Sequence, residues 1–396
     1  MKILIGAFGD AGHAFPAIAL GKELAGRGHD VTLETWTRWR EHVEREGMRF
    51  APAPEYQVFP TRERPLKPYA AAARAAKETQ RLISERAPDI VVNDVLTLAP
   101  ALAAELAGRP WATLVPHFYP PVADGLPPYG LGAMPARGAL GRAGWRLVAR
   151  PMGMGVERGR RELNETRRRV GLPELSHSYG GISRDLCLVG TFPQLEYPRS
   201  WPSYTHVVGP VAWEPPAAEI EIPAGPEPLV LIAPSTAQDP GQRLLRAALE
   251  GLADLPVRVL AAYNRTPEQP LEPPANARLV EWISYSQVMP LADVVVCHGG
   301  HGTLARALAG GAPVVTVPAA GDMAENGARA QWAGAGLNLP WRFLSAHALR
   351  WTVQAVLERP RLKSRARELR RWAVQNDGAA RAAALVEEFA TRASRS

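Results

Sequence analysis

The 396-residue chain has few lysines, two cysteines and no long apolar run. Without a stretch of about 18 apolar residues, no membrane-spanning helix is expected. The opening residues Met1 to Gly6 carry one charge and predict a strand, so we expect no secretory signal and a cytoplasmic protein. Cys187 and Cys297 fit no metal spacing and are typical of buried residues in a reducing compartment.

Three chemical signatures are also missing. No Asp-x-Asp occurs, so a metal-held diphosphate is not indicated. No Gly-Lys-Ser/Thr phosphate loop is present, and no Gly-x-Gly-x-x-Gly fingerprint follows the first strand. These absences argue against kinase and dehydrogenase functions, and we expect neither a metal nor a cofactor.

The formal net charge of +7 invites comparison with nucleic-acid-binding proteins. Only five of the 46 basic residues are lysine, however, and the arginines are spread beside abundant Ala, Gly and Pro. That distribution is typical of GC-rich codon usage. We therefore expect no nucleic-acid partner.

Short apolar strands alternate with helices in both halves of the chain, which predicts an α/β protein with parallel sheets. A proline-rich stretch divides the two halves. The predicted units are a first domain over 1–208, a linker over 209–228, a second domain over 229–370 and a helical tail over 371–396. The tail is predicted to be helical throughout from Leu362 to Arg392. A cleft between such domains is the usual place for a ligand.

The stretch 137–169 has a composition of its own, with ten arginines against three glutamates and apolar residues at helical spacing. It predicts one or two amphipathic helices over the first domain. A solvated surface helix is the plain interpretation. A weak membrane-surface contact and a lid over a binding site are the alternatives.

The strongest motif runs from Val296 to Leu304, where a buried strand gives way to a glycine-rich turn and a helix. Glycines at 299, 300 and 302 let a ligand approach the backbone, and the helix start offers free N–H groups to an anion. His298 adds a side-chain donor suited to a diphosphate. Similar turns occur in every Rossmann-like sheet, so the turn alone is not specific.

His13 follows the first strand at a helix start, and Asp94 follows another strand of the same sheet. The helix terminus disfavours a protonated imidazole, so we expect a neutral His13, as a general base requires. Strand carboxyl ends share one edge, so Asp94 is placed to orient His13. The alternatives are that each residue caps a helix.

Four further residues are placed to hold a nucleotide. Ser235 and Thr236 follow the first strand of the second domain and offer hydroxyls to phosphate. Trp282 follows a strand and suits stacking on a base, although an interface or core tryptophan is the alternative. Asp322 is suited to sugar hydroxyls, although aspartates in loops are often turn residues.

Two segments together resemble the GT-B glycosyltransferases of family 1, in particular bacterial enzymes that glycosylate polyketides and other natural products. Gly12 to Pro16 followed by Leu24 to Thr32 resembles the N-terminal signature of that family. The second segment resembles its donor-binding signature. It comprises Trp282, His298 to Thr303, Gly311 to Pro313, Pro318 and Asp322 to Asn326.

The resemblance implies two Rossmann-like domains facing a central cleft, with a C-terminal helix packed back on the first domain. It implies inverting, metal-independent transfer of a sugar from a dTDP- or UDP-sugar, with His13 as base and Asp94 holding its ring. The implied donor-binding residues are Ser235, Thr236, Trp282, Ile283, His298, Gly299, Gly300, Gly302, Thr303 and Asp322.

The chain departs from the family pattern at three positions. Arg306 stands where members that use UDP-glucose place a glutamate for the ribose, and Met323 replaces a glutamine that holds the sugar. Both favour a dTDP-linked or deoxygenated sugar. His301 is unusual and either binds phosphate or packs.

The acceptor pocket is expected from the loops 56–69 and 117–129, which are rich in aromatic residues. We expect Phe59, His117, Phe118 and Tyr119 to bind a lipophilic or aromatic acceptor. A monomer or a homodimer is expected.

Two other functions are compatible with this fold. A sugar-nucleotide epimerase would need carboxylates in the cleft to carry protons. A non-catalytic activator of a partner enzyme would not need both His13 and His298.

Overall fold

The computed structural model describes residues 1–53, 68–235, 238–239, 241–263 and 271–395. The described residues form two parallel sheets, of seven and six strands. The strands of the first sheet are β1 Lys2–Gly6, β2 Asp30–Thr35, β3 Arg49–Pro52, β4 Ile90–Asp94, β5 Trp111–Val115, β6 Cys187–Val189 and β7 Thr205–Val207. Those of the second are β8 Leu229–Ala233, β9 Arg258–Ala262, β10 Ala277–Val280, β11 Val294–Cys297, β12 Val314–Thr316 and β13 Gly336–Asn338.

Helices cover both faces of each sheet. Those that follow strands of the first sheet are α1 Ala11–Gly26, α2 Arg40–Arg45, α3 Pro68–Arg86, α4 Leu98–Leu106 and α5 Ala139–Val170. The remainder are α6 Arg243–Leu252, α7 Tyr285–Val288, α8 His301–Gly310, α9 Met323–Trp332, α10 Ala346–Leu357, α11 Pro360–Gln375 and α12 Gly378–Ala393.

The strand order gives each sheet a switch point. The first sheet runs β3-β2-β1-β4-β5-β6-β7, and the second runs β10-β9-β8-β11-β12-β13. In each sheet the first three strands are added in one direction, and the fourth strand pairs with the other side of the first. The switch points therefore lie between β1 and β4 and between β8 and β11. A crevice opens at such a point beyond the carboxyl ends of the strands. The predicted α/β fold of two Rossmann-like domains is confirmed.

The C-terminal helix belongs to the first domain. Ala382, Ala383 and Val386 of α12 are buried in the same core as Ile18 and Leu20 of α1. The predicted return of the tail to the first domain is therefore confirmed.

The prediction of one continuous helical tail was wrong. α11 ends at Gln375, and Asp377 starts α12 by accepting hydrogen bonds from the N–H groups of Ala379 and Ala380. The break lets α11 stay on the second domain, against α8, while α12 crosses to the first.

Between β7 and β8 the described chain forms neither helix nor strand. Part of this linker is nevertheless anchored. Trp213 is buried in the first core, and its indole N–H donates to Oε1 of Glu46 at 2.7 Å. The linker residues that follow Trp213 are therefore held at the mouth of the cleft.

The arginine-rich stretch forms one 32-residue helix, α5, whose two ends differ. Near its C-terminus Arg167 is buried and holds both carboxylate oxygens of Glu105, at 2.8 and 2.7 Å. Its N-terminal half stands in solvent, with Leu140 92% exposed. The second half lies over the first domain as predicted, whereas the first half is exposed and contacts that domain through Arg146, which donates to both carboxylate oxygens of Asp124.

A buried ion cluster joins the two domains. Arg329 of α9, only 4% exposed, donates from Nη1 to Glu196 of the first domain at 2.7 Å and from Nε to Glu325 at 2.8 Å. Its guanidinium also lies over the rings of Tyr197 and Phe118, 4.1 and 4.6 Å from their centroids. One cation thus satisfies two buried carboxylates from opposite sides of the cleft.

Replacing Arg329 should be costly, because Glu196 and Glu325 would stay buried without their partner. We expect Arg329→Leu to lower the free energy of unfolding by about 3–5 kcal/mol, the usual cost of breaking a buried ion pair. Scanning calorimetry checks this. Arg158→Leu, which removes an exposed helix pair with Glu162, should leave the melting temperature almost unchanged. Equal melting shifts for the two variants would contradict the assignment.

Candidate active site

The switch points of both sheets face one cleft. Residues after β1 and β5 of the first domain meet residues after β8 and β11 of the second, with the linker closing one side. The lining consists of Asp10, Ala11, Gly12, His13, Phe15, Pro16, Pro116, His117, Gly190, Pro210, Val211, Ala212, Glu214, Pro234, Ser235, Gln238, Trp282, Tyr285, His298, Gly300, His301, Gly302, Thr303, Ala305, Arg306, Asp322 and Met323.

His13 and Asp94 are brought together on the side of the first domain. Asp94 is the last residue of β4, and its Oδ1 lies 2.7 Å from Nδ1 of His13. Since a carboxylate accepts, Nδ1 carries the proton and Nε2 keeps the lone pair. Neither residue caps a helix, because Asp10 caps α1 and Thr97 starts α4.

The expectation of a neutral His13 set by the helix terminus was wrong in direction. Burial lowers the pKa of His13, but the negative charge and hydrogen bond of Asp94 outweigh it, with help from Asp10 and Asp322. The pKa of His13 therefore lies above the ordinary 6.5. The imidazole is a stronger base than an isolated histidine, and its proton is lost only at higher pH.

The glycine-rich turn faces His13 from the second domain. Gly299 has φ +85°, in the left-handed region, and a Cβ there would come within 3.1 Å of the Met323 carbonyl oxygen. A Cβ on Gly300 would lie 2.4 Å from Nε2 of His298. Gly300 then precedes α8, whose first N–H groups belong to His301, Gly302 and Thr303. The turn thus combines glycines with free N–H groups at a helix start, a geometry that favours an anion.

His298 is oriented by the strand beside it. Its Nδ1 donates to the carbonyl of Ala233 at 3.2 Å, which leaves Nε2 toward the turn. Burial lowers the pKa of His298, and nearby groups only partly oppose this. The free protein therefore presents an unprotonated Nε2 beside the helix start.

Two more histidines lie in the cleft, and both are neutral. His117 donates from Nδ1 to the Phe118 carbonyl at 2.8 Å, and burial followed by the charge of His13 lowers its pKa. His301 bonds the Thr191 hydroxyl at 3.0 Å, and burial lowers its pKa to about 3. His301 also packs edge-on against Phe118, so it bridges the domains. Its ring is packed and hydrogen-bonded.

Asp322 and Trp282 line the cleft as predicted. Asp322 precedes α9 without capping it through its side chain, and one carboxylate oxygen accepts from the Tyr129 hydroxyl at 3.3 Å. Trp282 is 44% exposed, which rejects the alternative of a core tryptophan. Ser235 also lines the cleft, where its hydroxyl accepts from the N–H of Gln238 at 2.9 Å.

Three predicted side chains do not face the cleft. Ile283 is 2% exposed and belongs to the core of the second domain. Phe118 is buried between His301 and Arg329, and Tyr119 is buried with its ring 5.5 Å from that of Trp201. Phe118 therefore contributes to the contact between domains, while Tyr119 packs within the first domain. Of residues 117–129, all of them described, only His117 is in the lining. Phe59 and Thr236 lie outside the described residues.

Sequence reasoning missed three groups in the cleft. Glu214 comes from the proline-rich linker, where no periodicity marks a functional residue. Tyr285 is the first residue of α7, three positions after Trp282. Phe15 lies within the N-terminal signature, but no role was assigned to it. An acidic residue next to a buried linker tryptophan is the one signal that could have found Glu214.

No helix in the described ranges is long and apolar enough to cross a membrane. Among the same residues, no three or more His, Cys, Asp or Glu side chains are grouped so as to hold a metal ion.

Comparison with known proteins agrees with this geometry. Residues 3–112 match the glycosyltransferase family 28 N-terminal domain, and residues 246–387 match the C-terminal domain of erythromycin biosynthesis protein CIII-like proteins. A 4'-demethylrebeccamycin synthase of Lentzea aerocolonigenes is 31% identical over 98% of this chain and 99% of its own length. An O-mycaminosyltylonolide 6-deoxyallosyltransferase of Streptomyces fradiae is 29% identical over 98% of both chains.

Solved structures share the fold. The glycosyltransferase of kitacinnamycin superposes with a TM-score of 0.80 at 21% identity, covering 98% of both chains. The glycosyltransferase VinC, solved in complex with dTDP, superposes at 0.72 with 18% identity, covering 99% of this chain and 100% of its own.

The fold and the sequence matches together define a sugar-transferring enzyme. The chain belongs to the GT-B glycosyltransferases of family 1, among which it resembles the enzymes of macrolide and other natural-product biosynthesis.

The effect of the Asp94 carboxylate on the pKa of His13 should be measurable by NMR. We expect NMR titration of the histidine ring C–H signals to give His13 a pKa above 6.5, and Asp94→Asn to lower that pKa because burial would then act unopposed by the charge. The His13→Ala spectrum identifies the signal. An unchanged pKa in Asp94→Asn would mean that other charges set the basicity of His13.

Proposed function

We propose that this glycosyltransferase transfers a sugar, with inversion and without a metal ion, from a dTDP- or UDP-sugar to a hydroxyl of a small lipophilic or aromatic natural product. One observation carries the proposal. His13 of the first domain, hydrogen-bonded to the buried Asp94, and a glycine-rich turn that precedes a helix of the second domain line the same cleft.

The proposed base is Nε2 of His13. With Nδ1 held by Asp94, a neutral imidazole can accept only at Nε2, where an acceptor hydroxyl would lose its proton. Asp94 stabilises the imidazolium that results, as a buried carboxylate does in other His–Asp pairs. The oxygen then attacks the anomeric carbon from the side of the first domain, while the nucleotide leaves toward the second.

Charge on the leaving diphosphate is stabilised by the start of α8. Its free N–H groups and the partial positive charge of the helix terminus favour an anion. His298 contributes through Nε2, which donates once the ring is protonated. A diphosphate beside it favours that protonation. These groups supply the stabilisation that a metal ion supplies in other transferases.

Trp282 offers an exposed ring for stacking on thymine or uracil, and it lines the cleft together with the glycine-rich turn. Three features favour a dTDP-linked donor over a UDP-linked one. Arg306 stands where the resemblance places a ribose-binding glutamate, and Met323 replaces a sugar-binding glutamine. A structural relative has been solved with dTDP.

The acceptor is proposed to enter beside His117 and Asp322. The two closely compared relatives are named for rebeccamycin and tylonolide chemistry, which supports a small natural-product acceptor. Neutral His117 presents Nε2 as a hydrogen-bond acceptor near His13, with ring centroids 6.0 Å apart. It can orient a hydroxyl without competing for its proton.

Nucleotide binding is the direct test of the donor site. We expect calorimetric titration to show binding of dTDP at about micromolar Kd, weaker binding of UDP, and no change on adding EDTA. Loss of binding in EDTA would reject a metal-independent site. Equal affinity for the two nucleotides would remove the support for a dTDP-linked sugar.

His13→Ala should lower turnover by about 10²–10⁴-fold, the usual effect of losing a general base. Binding of dTDP should change little, because the nucleotide contacts come from the second domain. Turnover is measured by chromatography of the glycosylated acceptor, with His347→Ala as the control, since His347 is exposed and outside the cleft. Full turnover in His13→Ala would place the base elsewhere.

A further inference from the structure

The linker reaches α8 at one point inside the cleft, where Arg306 meets Trp213 and Glu214. The Arg306 guanidinium donates through Nη2 to the carbonyl of Trp213. Its Nε lies 4.0 Å from Oε2 of Glu214, which is too far for a hydrogen bond. Arg306 and Glu214 both line the cleft. Arg306 and Glu214 therefore carry opposite charges and lie close together without a hydrogen bond between them.

The remaining nitrogen of Arg306 is directed along α8 toward the glycine-rich turn. Nη1 lies 3.5 Å from the point that a Cβ on Gly302 would occupy, and Gly302 is the second residue of α8. Within the described part of the chain, Nη1 donates no hydrogen bond. A guanidinium nitrogen with two N–H groups is thus available beside the anion site.

The charge of Arg306 is only partly balanced. Burial lowers the pKa of Arg306, and the negative charge of Glu214 opposes that effect from 4.0 Å. The guanidinium also lies over the Phe15 ring, 5.7 Å from the centroid. A partly buried cation whose one carboxylate partner is 4.0 Å away is stabilised by a further anion in reach of its free donors.

Of the two carboxylate oxygens of Glu214, Oε1 accepts the hydrogen bonds that the described residues donate. Its Oε1 accepts from the Ser284 hydroxyl at 2.7 Å and from the N–H of Ser286 at 3.0 Å, and the Ser286 hydroxyl also donates to it. No described residue donates to Oε2. The serines fix the carboxylate two residues beyond Trp282, with one oxygen left for a ligand hydroxyl.

We propose that Glu214 and Arg306 form a nucleotide subsite, in which Arg306 Nη1 binds a phosphate oxygen of the donor and Glu214 Oε2 accepts from the ribose 3'-hydroxyl. This inference rests on the proposed function. A nucleoside diphosphate stacked on Trp282, with its phosphates at the start of α8, places its ribose in the stretch that these two residues line. The linker then binds the donor directly, and the carboxylate absent from α8 is supplied by Glu214.

Calorimetric titration with dTDP tests the arginine. We expect Arg306→Met to raise the Kd by about 10–100-fold, the usual effect of losing a hydrogen bond to a charged group. Arg306→Lys should recover part of that loss, because a lysine keeps the charge but cannot reach the Trp213 carbonyl as well. Arg278→Met removes an arginine paired with Glu221 outside the cleft and should leave the Kd within about twofold.

A ligand lacking one hydroxyl tests the carboxylate. Glu214→Gln should weaken dTDP by about tenfold and leave the Kd of 3'-deoxy-dTDP unchanged, because that ligand has no hydroxyl for Oε2 to accept from. Circular dichroism checks that each variant is folded.

The outcomes distinguish failure of the proposed function from failure of the subsite. Wild-type protein that binds neither dTDP nor UDP would overturn the proposed function. Wild-type binding with an unchanged Kd in Arg306→Met, with Arg306→Lys as weak as Arg306→Met, or with equal losses of both ligands in Glu214→Gln would overturn the subsite alone.

Discussion

The guanidinium of Arg329 joins the two sides of the cleft. Arg329 belongs to the second domain, yet the carboxylate of Glu196 and the rings of Phe118 and Tyr197 that surround it come from the first. Glu196 in turn accepts from the N–H of Tyr119, so the segment after β5 is tied to α9. Since α9 begins next to Asp322, the same cluster fixes where Asp322 lies relative to the segment after β5.

The four histidines of the cleft differ in basicity, because the pKa of one is raised and the pKa values of the other three are lowered. His117, His298 and His301 are partly buried without a carboxylate hydrogen bond, and their pKa values fall. His13 is also partly buried but bonds Asp94, and its pKa rises. Basicity is therefore concentrated on the His13 ring. The second domain contributes the N–H groups at the start of α8 and the guanidinium of Arg306 to the same cleft.

The amino-acid pattern was sufficient for the fold and for the residues at strand ends. Apolar strands, glycine turns and the rule that parallel strands share an edge predicted His13 beside Asp94, and the turn at His298. The direction of the His13 pKa depends on a 2.7 Å contact and on burial, which no spacing reveals. Phe118 and Tyr119 were assigned to the acceptor because they are aromatic, yet their burial is decided by Arg329 and Trp201. Glu214 was missed because a linker has no periodicity. The break before α12 had a local signal in Asn376, Asp377 and Gly378, which are turn and cap residues.

The crossing of α12 has a consequence for how the protein is made. Its alanines and valine complete a core whose other members lie within the first 211 residues, apart from the linker residue Trp213. On a ribosome, N-terminal domains generally fold before later ones are synthesised. Here the first domain stays open along α1 until residues 378–393 have emerged, by which time the second domain is already outside the tunnel. The nascent chain must therefore keep that apolar groove free of other contacts while the second domain folds.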